Sequence, residues 1–153
     1  MRRFADALDV VALTLWVGGL WAIGYLVAPT IFATLADRQL AGILAGKLFA
    51  LIGWVGLCCA VYLLFSLLFR FGGRALRRGV FWLLLVMLAL TVVSQFGVQP
   101  WLAQLKAEAL PREVMESVLR DRFATWHGIS SVLYLVQSVL GVLLVVAAGR
   151  GVK

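Results

Sequence analysis

Charge is what this sequence lacks. No Asp, Glu, Lys or Arg occurs in residues 10–36, 48–69, 79–105 or 123–149. These stretches hold 27, 22, 27 and 27 residues, together 103 of the 153. Charged residues make up 14 % of the chain and hydrophobic ones 63 %. A soluble domain averages about 25 % charged and about 45–50 % apolar. The hydrocarbon core of a bilayer, about 30 Å thick, takes roughly 20 apolar residues of helix. Each uncharged stretch is long enough. A soluble enzyme, a disordered chain and a β-barrel are thereby excluded. The 50 residues outside the stretches are too few for a separate soluble domain.

Chemistry-bearing residues are nearly as scarce. His127 is the one histidine, so a bis-histidine haem is excluded. Zinc needs three or four ligands at suitable spacing, and none are so spaced. The uncharged stretches offer no carboxylate pair for hydrolysis or proton pumping. Ser130 and Ser131 stand near His127 but lack the acidic third member of a triad. Glycine-rich phosphate motifs are absent. Cys58 and Cys59 are neighbours on a helix, about 100° apart, and cannot form an ordinary disulfide. They read as small apolar fillers, with a soft-metal site as the alternative. No catalytic residue is predicted, and no cofactor.

The charge that is present is mostly positive. The net charge is +7 and the pI about 10.3. No aromatic residues interleave the basic ones for base stacking, so nucleic acid is not an expected partner. The positive-inside rule accounts for the excess. Arg2, Arg3, Arg70, Arg74, Arg77, Arg78, Arg150 and Lys153 share one side with Asp6 and Asp9. Arg38, Lys47, Lys106, Arg112, Arg120 and Arg122 share the other with Asp37, Glu108, Glu113, Glu116 and Asp121. An even number of spans puts both termini on the more basic side, the cytoplasmic one. Its short basic loop, 70–78, can also meet anionic lipid headgroups. Met1-Arg2-Arg3 before an apolar run resembles a signal peptide, but the run is too long and three more follow, so it reads as a retained first helix.

The expected fold is all-α: a polytopic four-transmembrane-helix up-down bundle, a single integral membrane domain over 1–153. Its spans are expected at about 8–35, 38–69, 79–104 and 123–148, the last entered by an amphipathic helix from 111. Gly18, Gly19 and Gly24 let another backbone approach span one. Pro29 predicts a kink near the outer end of that span. Gly42 and Gly46 at GxxxG spacing predict that the second helix starts near Arg38, and Gly53 gives it a second packing surface. That helix would be about 48 Å long and must tilt or protrude. Gly72 and Gly73 predict its end. In 106–122, Pro111 fits the first helical position, with Glu113 and Glu116 following and Val114, Val118 and Leu119 forming the apolar stripe.

The polar residues within the spans gather by depth. Lys47 opens span two, Gln95, Gln99 and Pro100 end span three, and Arg122, His127, Ser130 and Ser131 open span four. In an up-down bundle these share the outer layer. Lys47 either snorkels or pairs inside the bundle. Gln95 and Gln99, four apart, either clamp two helices or line a polar cavity. His127 is open to three roles: an interhelical hydrogen bond, proton or metal handling, and haem ligation. The candidate ligand-binding set is therefore Lys47, Gln95, Gln99, Arg122, His127 and Ser131, with His127 the one metal candidate.

Several runs resemble a known family. LWVGGLWAIGYLVAPTIFATL, AGILAGKLF and RFATWHGISSVLYLVQ look like the four-helix family related to transmembrane protein 205. Its anchors here are WxGG at Trp16–Gly19, Ala28-Pro29, the GKLF that starts at Gly46, and His127-Gly128. The resemblance covers about residues 8 to 140 and implies a polytopic membrane protein without established catalysis, bacterial members being generally small proteins of unknown function. A eukaryotic relative's link to platinum-drug resistance and vesicular export hints at metal or thiol handling. The WVGG start is more distantly similar to copper-resistance-D-type and haem-pathway membrane families. That likeness carries over Trp16, Gly18, Gly19 and His127 only, without the further histidines and methionines of a copper conduit.

Three functions are expected in consequence. The first is a non-enzymatic inner-membrane component acting through binding, with the lipid bilayer around it and a homo-oligomer or membrane-protein partner beside it. The second is a small-molecule or metal-related transporter acting as an oligomer with the outer-half pocket. The third is a haem- or copper-binding protein using His127.

Overall fold

A computed structural model describes residues 2–109 and 118–150. All regular structure among the described residues is helical. Helix α1 runs Arg2–Trp21, passes through a π-helical turn at Ala22–Val27, and continues as α2, Ala28–Thr34. Helix α3 covers Arg38–Phe71 and ends in a 3-10 turn at Gly72–Arg77. Helix α4, Gly79–Val92, leads through a second π turn, Val93–Val98, into α5, Gln99–Ala109. Helix α6 is Arg120–Arg150. Four of the resulting rods are long and apolar enough to cross a membrane: Phe4–Thr34, Arg38–Arg77, Gly79–Glu108 and Arg120–Gly149. We call these spans one to four.

The boundaries follow from local chemistry. Asp37 caps α3, its carboxylate accepting from the Leu40 N–H at 2.9 Å. The expected early start at Arg38 is what the structure has. Gly72 ends the helix at φ +54°, a left-handed conformation that costs glycine nothing. Arg78 then lays its guanidinium 3.5 Å from the centre of the Phe71 ring.

Each span packs on its sequence neighbours, and span four closes against span one. This is the up-down ring expected from four rods and short connections. Trp16, Met87, Leu144 and Ser138 are fully buried at its centre. The outside is apolar: Leu26, Phe65, Phe69, Val132, Leu135 and Leu143 are each more than half exposed. Contiguous apolar surface on this scale is foreign to a water-soluble monomer. At the end that carries Arg70, its guanidinium bridges Asp6 and Asp9, reaching Asp9 at 3.0 Å, and the Ser66 hydroxyl donates to Asp9 at 2.8 Å. That latch lets α1 begin well before residue 8, the expected start of the span.

Pro29 does not break its helix. It has no N–H, so the carbonyl four residues earlier loses a partner. The chain answers with a π turn just upstream, in which the Ala28 N–H bonds the Ile23 carbonyl, five residues back. Pro100 repeats the device: the Gln99 N–H bonds the Ser94 carbonyl. The expected kink is thus a one-residue widening of the helix, a form that keeps the backbone satisfied within an apolar span. The expected amphipathic helix lies mostly outside the described residues, Pro111, Glu113, Val114 and Glu116 among them.

Candidate functional site

Polar side chains meet between spans two, three and four. Thr91 donates back to the Met87 carbonyl at 2.8 Å. Gln137 crosses from α6, its Nε2 2.6 Å from the Thr91 hydroxyl and 3.3 Å from the same carbonyl. Gln95 Nε2 donates to the Ala50 carbonyl of α3 at 3.2 Å. Tyr134 donates its hydroxyl to the Leu20 carbonyl, and Trp21 Nε1 reaches the Ser138 carbonyl at 3.3 Å. Among the described residues no buried side-chain nitrogen or oxygen lacks a partner.

Thr91, Gln95, Tyr134 and Gln137 border a small cavity together with Trp16, Phe49, Gly53, Ser94 and Gln99. Its volume is about 30 Å³. A water needs roughly 10–15 Å³ of such space, and a small-molecule pocket spans about 300–1,000 Å³. The cavity therefore suits one or two waters among neutral donors and acceptors. Its walls hold no carboxylate, ammonium, imidazole or thiol.

Glycines make this packing possible, though differently from the expected backbone-to-backbone contact. Each accommodates a large side chain of a neighbouring span. Gly56 faces the Trp16 indole, Gly19 faces Ile52, Gly24 faces the Tyr134 ring and Gly53 faces the Gln95 amide. A Cβ at any of them would overlap those atoms. Gly18 has nothing within 4 Å of a Cβ position and lies on the outside.

A second polar contact sits at the end of span three. Lys106 reaches across to α3 and donates to the Gly42 carbonyl at 2.9 Å. Gly42 and Gly46 form the floor beneath its ammonium, whose nitrogen lies 3.9 and 3.5 Å from the Cβ positions they leave empty. The Phe123 ring of α6 is centred 5.7 Å from that nitrogen and stacks on the His127 ring at 5.6 Å.

The structure brings together only part of the expected set. Gln95 and Gln99 border the cavity. Lys47, Arg122, His127 and Ser131 are exposed, and Pro100 faces outward too. Lys47 is two residues past buried Ala45, hence about 200° round the helix and on its far side. His127 stands at the edge of the inward stripe formed by Phe123, Trp126, Ser130 and Leu133. The Ser131 hydroxyl bonds back to the His127 carbonyl at 2.9 Å, not to its ring. The shared pocket of Lys47, Gln95 and His127 is thus corrected: depth groups these residues, but helix azimuth separates them. No group of three or more His, Cys, Asp or Glu suited to a metal exists among the described residues.

Sequence reasoning missed Lys106, Thr91 and Tyr134. A signal was available for the first two. Thr91, Gln95, Val98, Leu102 and Leu105 recur at helical spacing and are all buried. Lys106 follows directly on that stripe and so turns toward span two rather than into water.

No curated protein and no solved structure matches this chain. One family model does, over residues 11–111, about two thirds of the sequence: a domain of unknown function, DUF4149. The chain belongs to the DUF4149 family, a domain of unknown function whose matched region takes in most of span one, spans two and three, and both Lys106 and Gly42.

Proposed function

We propose that this protein is a non-enzymatic, integral inner-membrane component that acts by binding other membrane proteins as an accessory or assembly factor. Both termini lie in the cytoplasm on this reading, because the more basic ends are there. One observation carries it. Among the described residues the polar interior is hydrogen-bonded to completion around a cavity of about 30 Å³, room for one or two waters and not for a substrate. What it has to offer is its outside. On span one, Ala7, Val11, Thr14 and Gly18 fall on one exposed stripe at coiled-coil spacing, and small residues there admit a second helix closely. The likeness to the transmembrane-protein-205-like family is part of the same proposal.

The test is co-purification from native membranes. A defined homo-oligomer or a stoichiometric partner is expected, lost in G18L. A lone monomer in native membranes contradicts the proposal. One observation favours the transport reading instead: a π turn carries Ser94 and Gln95 to the cavity, and such turns are common at functional sites. Ligand binding abolished by Q95A and Q99A, with the fold intact, would support that reading over the first.

A further inference from the structure

We propose that Lys106, on the glycine floor of α3, is a binding site for a phosphate monoanion, either a lipid headgroup phosphodiester or free phosphate. Four observations converge. The first is donor capacity. A lysine ammonium has three N–H donors, and among the described residues this one has a single acceptor, the Gly42 carbonyl at 2.9 Å.

The second is the missing counter-charge. Among the described residues no carboxylate forms an ion pair with Lys106; those ion pairs all belong to Arg70. The two nearest in sequence or at the head of α3 are engaged otherwise. Glu108 accepts from Gln104 at 2.7 Å, and Asp37 caps α3. A half-buried cation with spare donors is completed by an anion from outside the described residues.

The third is room. Among the described residues the Lys106 nitrogen is the sole neighbouring-group atom within 4 Å of the Cβ positions at Gly42 and Gly46. No other described side chain fills the floor next to the ammonium, and glycine exposes its backbone there. The fourth is the wall. Phe123, stacked on His127, closes one side with an apolar ring that keeps water from competing fully for the ammonium.

Position selects phosphate over a carboxylate. The site joins the last turns of α5, the first turns of α3 and the start of α6. All three are ends of membrane-length rods, the level at which headgroup phosphates lie. Arg38, Arg120 and Arg122 are exposed at the same end and raise the local anion concentration.

The test uses full-length protein in detergent, titrated with phosphatidylglycerol or with diacylglycerol, which lacks the phosphate, and read by native mass spectrometry. A parallel arm measures binding of radiolabelled inorganic phosphate. Wild type should retain phosphatidylglycerol, K106Q should weaken it about tenfold, roughly the loss of one charge-assisted contact, and K106R should keep most of it. K47Q, which removes an equal charge from the exposed far side of α3, should have little effect. Loss in K106Q confined to the phosphate arm supports the site with free phosphate as its ligand. The proposal is overturned if K106Q binds both ligands like wild type, if K47Q loses as much as K106Q, or if diacylglycerol is held equally well. The outcome is independent of partner co-purification, so either proposal can fail alone.

Discussion

Replacing Gly56 by Ala tests the side-chain-on-glycine packing quantitatively. A Cβ at this position would lie 2.5 Å from Trp16 Nε1, 3.0 Å from Cδ1 and 3.3 Å from Cε2. Trp16 is fully buried, so the indole has no solvent space to swing into. Forcing extra atoms into a packed core costs about 1–3 kcal/mol. Gly→Ala within a helix also returns about 1 kcal/mol of backbone entropy. Gly128, inside α6, supplies the correction, since nothing among the described residues lies within 4 Å of its Cβ position. G128A carries the helix gain without the overlap. Subtracting its effect from that of G56A leaves the strain alone, about 1–3 kcal/mol of destabilisation. The assay is reversible unfolding in mixed micelles, followed by intrinsic tryptophan fluorescence. Adding W16F to G56A should recover part of the loss, because the phenyl ring is smaller than the indole. If G56A and G128A are equally stable, Trp16 does not sit on Gly56 and the packing scheme is wrong.

Three further outcomes are expected. Gln137→Leu removes the amide that bonds Thr91 and the Met87 carbonyl, and should cost about 0.6–1.7 kcal/mol, the range for hydrogen bonds between membrane helices; thermal unfolding that matches wild type would contradict the network. Arg70→Ala frees Asp6 and Asp9 and should lower stability by about 1 kcal/mol, less at high salt because the pairs are partly exposed; a salt-independent loss would point to packing instead. Purified protein should show no Soret band and no stoichiometric copper by elemental analysis, since His127 is exposed and stacked on Phe123 with no second ligand beside it among the described residues; either signal would revive a haem or copper role.

Much of the architecture was legible because its signals are one-dimensional. Four uncharged stretches set the four rods, and Asp37 and Gly72 set the ends of α3. The glycines were legible as close-packing sites, but their contacts were not. Spacing says that Gly53 makes room; only the three-dimensional arrangement says that the Gln95 amide fills it. The candidate pocket failed for a related reason. Lys47 and His127 share a layer with Gln95, and depth along a rod can be read from topology. The direction a residue faces depends on how each rod is rotated, and two uniformly apolar faces give no clue to it. Lys106 shows the converse: counted as a surface charge, it is turned inward by the buried stripe that precedes it. The π turns were half legible, since proline announces the lost hydrogen bond but not whether the helix kinks or widens.

The central claim is four rods that cross a membrane and alternate in direction. Single cysteines at exposed positions 36 and 76, in a Cys58→Ala, Cys59→Ala background, test it most directly with an impermeant maleimide. Ala36→Cys should label in intact spheroplasts, and Leu76→Cys only after the membrane is opened. Labelling of both from the same side would contradict the account.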